Sequence, residues 1–132
     1  MKINFYKAHG LTILWALLIL ILTLTPGKFI PKVDYWAFFS LDKYVHISIF
    51  FIQVFLILWN ARTLRVIDKK IYFISILIGV SYGALIEVIQ LFIPQRSFEW
   101  NDLLANTFGV FLACVLFYLL EKLNFLKTIN NY

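Results

Sequence analysis

The chain has one cysteine, Cys114, which excludes an internal disulfide and a cysteine-based zinc site. It has three prolines and no glycine-serine linker, so nothing divides its 132 residues into separate units. Internal repeats and low-complexity tracts are also missing. Charge is scarce: 14% of the residues are Asp, Glu, Lys or Arg, and only seven are acidic. A soluble domain of this size could not hide the 62% of residues that are hydrophobic, and the mean hydropathy is +0.85. The formal charge of +5 does not form a basic face, because the lysines and arginines lie between apolar runs. That pattern is a membrane-topology signal and argues against a nucleic-acid partner.

What is present is a set of four apolar segments. A membrane span needs about 20 mostly apolar residues. The segments expected to cross are about 10–25, 42–60, 71–93 and 102–120. Lipid cannot satisfy free backbone N–H and C=O groups, so each is expected to be helical. The expectation is an all-α integral membrane bundle, one domain over 1–132 with its core at about 10–120. Residues 121–132 form a tail. The first segment follows Lys2 and Lys7 as a signal peptide would, but Thr23-Leu24-Thr25-Pro26 lacks small residues at a cleavage position, which favours a retained helix.

Basic residues set the expected orientation. Lys2, Lys7, Arg62, Arg65, Lys69, Lys70, Lys122 and Lys127 lie on one side, and Lys28, Lys32, Lys43 and Arg96 on the other. The larger set is expected inside, with both termini cytoplasmic. Phe29–Ser40 is expected as an outer loop or a short helix among the headgroups.

Within the apolar run Ile71–Ile93 only Glu87 is charged. A central Asp, Lys or Arg costs roughly 2.5–3.5 kcal/mol on insertion scales, and Glu should behave similarly. Such a group persists where it finds internal partners. At 100° per residue, Asp42, His46 and Gln53 share a face of the second helix. Gly79, Gly83, Glu87, Gln90 and Pro94 share one on the third; Asp102, Asn106, Gly109 and Ala113 share one on the fourth. Depth agrees: Glu87 lies about 10 Å inside Pro94, and His46 and Asn106 about 6 Å inside Asp42 and Asp102. The polar stripes are thus expected to meet at the outer ends of three helices. Pro94 should stop the third helix. Arg96 in the following turn can fork to Glu87, to Asp102 or to an anionic ligand. Small residues at Gly79, Gly83, Ala105, Gly109 and Ala113 are expected to pack the third helix on the fourth.

These residues resemble the VanZ-like family of small integral membrane proteins. The resemblance rests on Asp42-Lys43-x-x-His46 with Phe50. It rests more specifically on Glu87-x-x-Gln90-x-x-x-Pro94-x-Arg96-Ser97-Phe98-Glu99-x-x-Asp102-x-x-x-Asn106-x-x-Gly109. It covers about residues 10–120. It implies a multi-helix protein of the bacterial cytoplasmic (inner) membrane, and an association with low-level resistance to the glycopeptide teicoplanin. The chain departs from the family pattern at three places. Gln95 stands where Gly often precedes the motif arginine, Glu99 where Asp is usual, and Ala113 where Gly is common.

Three functions are open on the sequence. The first is binding of an anionic membrane lipid or a lipid-linked cell-wall precursor in an outward-facing pocket. Its ligand-binding residues would be Asp42, Lys43, His46, Glu87, Gln90, Arg96, Glu99, Asp102 and Asn106. The second is an enzyme on a lipid-linked substrate, with Glu87 or His46 as the base. The third is structural, with a partner membrane protein or a second copy of the chain as the contact. Asp42, His46, Glu87 and Asp102 could in principle ligate a metal. No metal or cofactor is expected, because Lys43 and Arg96 should compete for the same oxygens. Asp102 is expected to cap the fourth helix, and Asn106 to bond across helices.

Overall fold

The computed structural model describes residues 5–26 and 35–123. It is built from four helices: α1 (Phe5–Thr23), α2 (Tyr35–Thr63), α3 (Lys69–Gln90) and α4 (Trp100–Lys122). No strand occurs among the described residues. Leu41–Thr63, Lys69–Gln90 and Trp100–Lys122 are long and apolar enough to cross a membrane. The apolar part of α1, His9–Thr23, is shorter.

Local chemistry sets the ends. At α2, the Val66 N–H donates to the Ala61 carbonyl and the Arg65 N–H to the Arg62 carbonyl. This is a Schellman cap, with Arg65 in the left-handed region at φ 58°. Asp68 caps α3 by accepting from the Ile71 N–H at 2.8 Å. The helix then ends at Gln90, earlier than the expected Ile93. Pro94 explains this, because continuing the helix would drive its ring into the Gln90 carbonyl four residues back. That carbonyl accepts instead from the Ile93 N–H at 3.0 Å.

At the other boundary, α2 starts at Tyr35, not near residue 42. Residues 35–40 are therefore part of that helix rather than a separate interfacial loop. Residues 29–34 of the expected loop lie outside the described residues, as do Lys2, Lys28, Lys32 and the tail 124–132.

The core centres on Phe50, Val54, Leu58, Val110, Ala113 and Phe117, contributed by α2 and α4, with Ile19 and Ile86 from α1 and α3. Cys114 is buried there. Outward faces are apolar: Leu14, Ile21, Phe73, Leu85, Leu104 and Phe108 are all exposed. So much contiguous apolar surface fits lipid and not water.

Small residues pack α3 on α4 as expected, and they also serve α2: among the described helices the most extensive packing is α4 on α2. A Cβ on Gly109 would overlap the Ile47 carbonyl oxygen, so Gly109 brings α4 against the α2 backbone. Gly79 and Gly83 face α2 and α4 together, through Val54 and Val110 and through Phe50 and Asn106.

α1 is tied on by polar bonds as well as packing. The Trp15 indole N–H donates to the Ile49 carbonyl at 3.0 Å, the Tyr82 hydroxyl to the Ala16 carbonyl at 2.6 Å, and the Asn60 amide to the Thr12 hydroxyl at 2.6 Å. At the end away from Asp42, Arg62 of α2 pairs with Glu121 of α4.

The turn after α3 stores strain. Gln95 is exposed and sits at φ 62°, a conformation that glycine adopts freely and other residues do not. Gln95→Gly is expected to raise stability by about 1 kcal/mol, after the extra freedom of the unfolded chain is offset. Thermal unfolding in detergent reads this. An unchanged or lower midpoint would mean that the left-handed backbone at 95 carries no strain.

Candidate functional site

The expected polar stripes are buried. On α2, His46 and Gln53 are almost fully covered and Asp42 is half-buried; on α3, Gly79, Gly83, Glu87 and Gln90 are buried; on α4, Asp102, Asn106, Gly109 and Ala113 are buried. The antiparallel order of the helices brings the start of α2, the end of α3 and the start of α4 to one end of the bundle. The polar residues there divide into two groups with different partners.

The first group closes the end of α1. A helix leaves its last carbonyls without partners inside the helix. The Gln90 amide donates to the Thr23 carbonyl at 2.9 Å, and Arg96 Nε donates to the Thr25 carbonyl at 3.1 Å. Arg96 is a correction. Instead of forking to Glu87 or Asp102, it forms no ion pair among the described residues. A cation beside a helix C-terminus also suits the helix dipole. α1 offered no titratable or motif residue at this end, so the role of Thr23 and Thr25 was not readable from residue type. The available signal was the orphan carbonyls of a helix followed by Pro26.

The second group gathers the carboxylates. Lys43, expected at the rim, lies among them: its ammonium meets Asp102 Oδ1, Asp42 Oδ2 at 3.2 Å and Glu99 Oε2 at 3.4 Å. Glu99 is half-exposed at its tip and binds from the outside. His46 is 4% exposed. Its Nδ1 lies 2.8 Å from Asn106 Oδ1, and its Nε2 lies 3.7 Å from both Asp42 Oδ1 and Asp102 Oδ2. Asn106 thus bonds across helices, as expected.

Asp102 does not cap α4 at its N-cap position. Glu99 holds that position with extended backbone and no side-chain cap bond, and Asp102 sits three residues later. Glu87 supplies what the local sequence does not. Its Oε2 accepts from the Glu99 N–H at 3.2 Å. In a capping box a glutamate of the same helix fills this role; here it comes from α3. The other oxygen, Oε1, is buried with no hydrogen-bond partner among the described residues, as is Asn106 Nδ2. The partner of Glu87 is thus a backbone amide and not a cation.

Asp42, His46 and Asp102 each present a ligand atom within 4.8 Å of the others. The competition expected from Lys43 does not arise on the same atoms. Lys43 uses Asp42 Oδ2 and Asp102 Oδ1, while His46 faces Asp42 Oδ1 and Asp102 Oδ2.

No curated protein and no solved structure matches this chain. The family model described as VanZ/LLP1 matches residues 4–121, nearly the whole length and all four helices apart from the last residue of α4. With its three apolar helices of membrane-crossing length and the motif residues gathered at one end, the chain belongs to the VanZ/LLP1 family.

Proposed function

We propose that this chain is a multi-pass protein of the bacterial cytoplasmic membrane that holds an anionic group of a membrane lipid or of a lipid-linked cell-wall precursor. All four helices cross, both termini are cytoplasmic, and the polar end faces outward. The single observation that carries the reading is Arg96. Thr25 positions its guanidinium through Nε, no carboxylate neutralises it among the described residues, and its remaining N–H donors are those that fork to phosphate or carboxylate. The exposed Trp100, stacked edge-on against Phe98 at 4.9 Å, suits a headgroup level beside it. Capture of a precursor headgroup would change how a glycopeptide such as teicoplanin meets its lipid-bound target.

Binding is better supported than catalysis. Glu87 and His46, the two candidate bases, are 0% and 4% exposed, and one side of each is committed to a protein partner. A substrate would have to displace those contacts before a proton could move.

The test is the lipid that travels with the protein. Purified wild-type protein in nanodiscs of mixed phosphatidylcholine and phosphatidylglycerol is expected to enrich the anionic lipid, read by mass spectrometry. Arg96→Ala is expected to lose most of that enrichment, and Arg96→Lys to keep part of it, because lysine retains the charge without the fork. Equal lipid profiles for wild type and Arg96→Ala would end the proposal.

A further inference from the structure

Among the described residues, the end of the bundle that carries Asp42 holds more carboxylates than side-chain ammonium groups in contact with them. Asp42, Glu87, Glu99 and Asp102 lie at this end; among the described residues Lys43 is the one ammonium in contact with Asp42, Glu99 and Asp102, and Glu87 meets the Glu99 N–H. The imidazole of His46 has a specific role in this imbalance. An amide oxygen only accepts, so with Asn106 Oδ1 at 2.8 Å, Nδ1 carries the ring proton. In the neutral ring, Nε2 is then a lone pair. It faces two carboxylate oxygens at 3.7 Å each, beyond hydrogen-bond range. Three electron-pair donors therefore point toward one another inside a buried site.

This is the arrangement of ligands around a cation. Bonds of about 2.0–2.2 Å from a tetrahedral ion to nitrogen and oxygen put the ligand atoms roughly 3.3–3.6 Å apart; the two imidazole-to-carboxylate separations of 3.7 Å are a few tenths of an ångström wider, and all three ligand atoms lie within 4.8 Å of one another. Metal-bound histidines almost always donate their second ring N–H to an oxygen that fixes the tautomer, and Asn106 Oδ1 occupies that place. Each aspartate binds Lys43 through its other oxygen, so the ammonium supports the carboxylates without taking the ligand atoms. An independent observation points the same way. Glu87 is 0% exposed, and its Oε1 has no hydrogen-bond partner among the described residues. A bare, buried carboxylate oxygen at the same end of the bundle is a further negative group that a cation there would help to balance.

The geometry points to a divalent-cation site formed by Asp42, His46 and Asp102, with Asn106 and Lys43 orienting the ligands. One imidazole and two carboxylates suit Zn2+ or Mn2+. Three protein ligands leave at least one position open. The inference does not depend on lipid binding by Arg96, and it is tested without lipid ligands.

Full-length protein in detergent, stripped with chelator and dialysed, is titrated with ZnCl2 and separately with MnCl2 by calorimetry. Wild type is expected to take up one ion per chain, and to unfold at a higher temperature when loaded, because an ion that binds only the folded state stabilises it. His46→Gln and Asp102→Asn are each expected to weaken uptake by about tenfold or more. His9→Gln, a histidine outside the cluster, is expected to bind as wild type does. X-ray absorption of the loaded wild-type protein is expected to show one imidazole among nitrogen and oxygen ligands, a readout that does not depend on any variant folding. Absence of saturable uptake of both ions by wild type overturns the site, as do equal affinities for wild type and folded His46→Gln. An absorption spectrum without imidazole overturns it as well.

Discussion

Gly109→Ala is expected to destabilise the bundle by about 3 kcal/mol, the upper part of the range for overpacking a tight contact. The added Cβ would overlap the Ile47 carbonyl oxygen and stand 3.1 Å from the Phe51 amide nitrogen, and both are backbone atoms. A side chain can rotate away from a new methyl group; a helix backbone can only translate, and every neighbouring contact between α2 and α4 moves with it. Among the described helices that pair packs most extensively. Separating it would also part His46 of α2 from Asn106 of α4. Alanine's better helix propensity returns about 1 kcal/mol at most. Gly79→Ala should cost less, because the new methyl meets only the side chains of Val110 and Val54, at 2.7 and 2.9 Å. At Gly10 a Cβ has nothing within 4 Å, so Gly10→Ala is the control and is expected to be neutral or slightly stabilising. Unfolding midpoints of the three variants in detergent, followed by circular dichroism, should rank Gly109 below Gly79 below Gly10. If Gly109→Ala melts with Gly10→Ala, the close approach of α4 to α2 is wrong.

Glu87→Ala is expected to cost about 3 kcal/mol, and Glu87→Gln much less. Alanine removes the acceptor for the Glu99 N–H at the start of α4, and a buried donor left unsatisfied costs about 1–3 kcal/mol. It also empties the volume of a fully buried side chain, which adds a cavity term of comparable size. Glutamine keeps a carbonyl oxygen of nearly the same reach, so the bond to Glu99 survives and only the negative charge is lost. The two variants separate packing from charge. A folded Glu87→Gln protein that binds metal or lipid more weakly would assign the charge a functional role. The measurements are folded yield after size exclusion and the unfolding midpoint. If Glu87→Gln falls as far as Glu87→Ala, the Glu99 amide is not what holds Glu87.

Residue type and spacing carry much of this protein. The apolar runs long enough to cross a membrane can only be helical where solvent cannot satisfy the backbone, and helical periodicity placed Glu87, Gln90, Asp102 and Asn106 on inward faces because polar groups are too costly toward lipid. The motif spacings identified the family. Helix ends were less legible. Pro94 acted four residues ahead of itself, on the Gln90 carbonyl, and α2 began at Tyr35 because its aromatic stretch continues the helix without a breaker. Glutamine in place of the resembled family's glycine argued for a changed turn at Gln95, yet the backbone there is left-handed at φ 62°.

The pairings were beyond the sequence. Arg96 and Glu87 carry opposite charges nine positions apart, and charge alone joins them. Tertiary packing instead gave Arg96 to the Thr25 carbonyl and Glu87 to the Glu99 amide, because helix termini leave backbone groups open that no residue letter records. Periodicity tells which side of a helix is buried; which neighbour covers it depends on how close two backbones can come. Gly109 settled that choice for α2 over α3, through a distance that exists only in three dimensions.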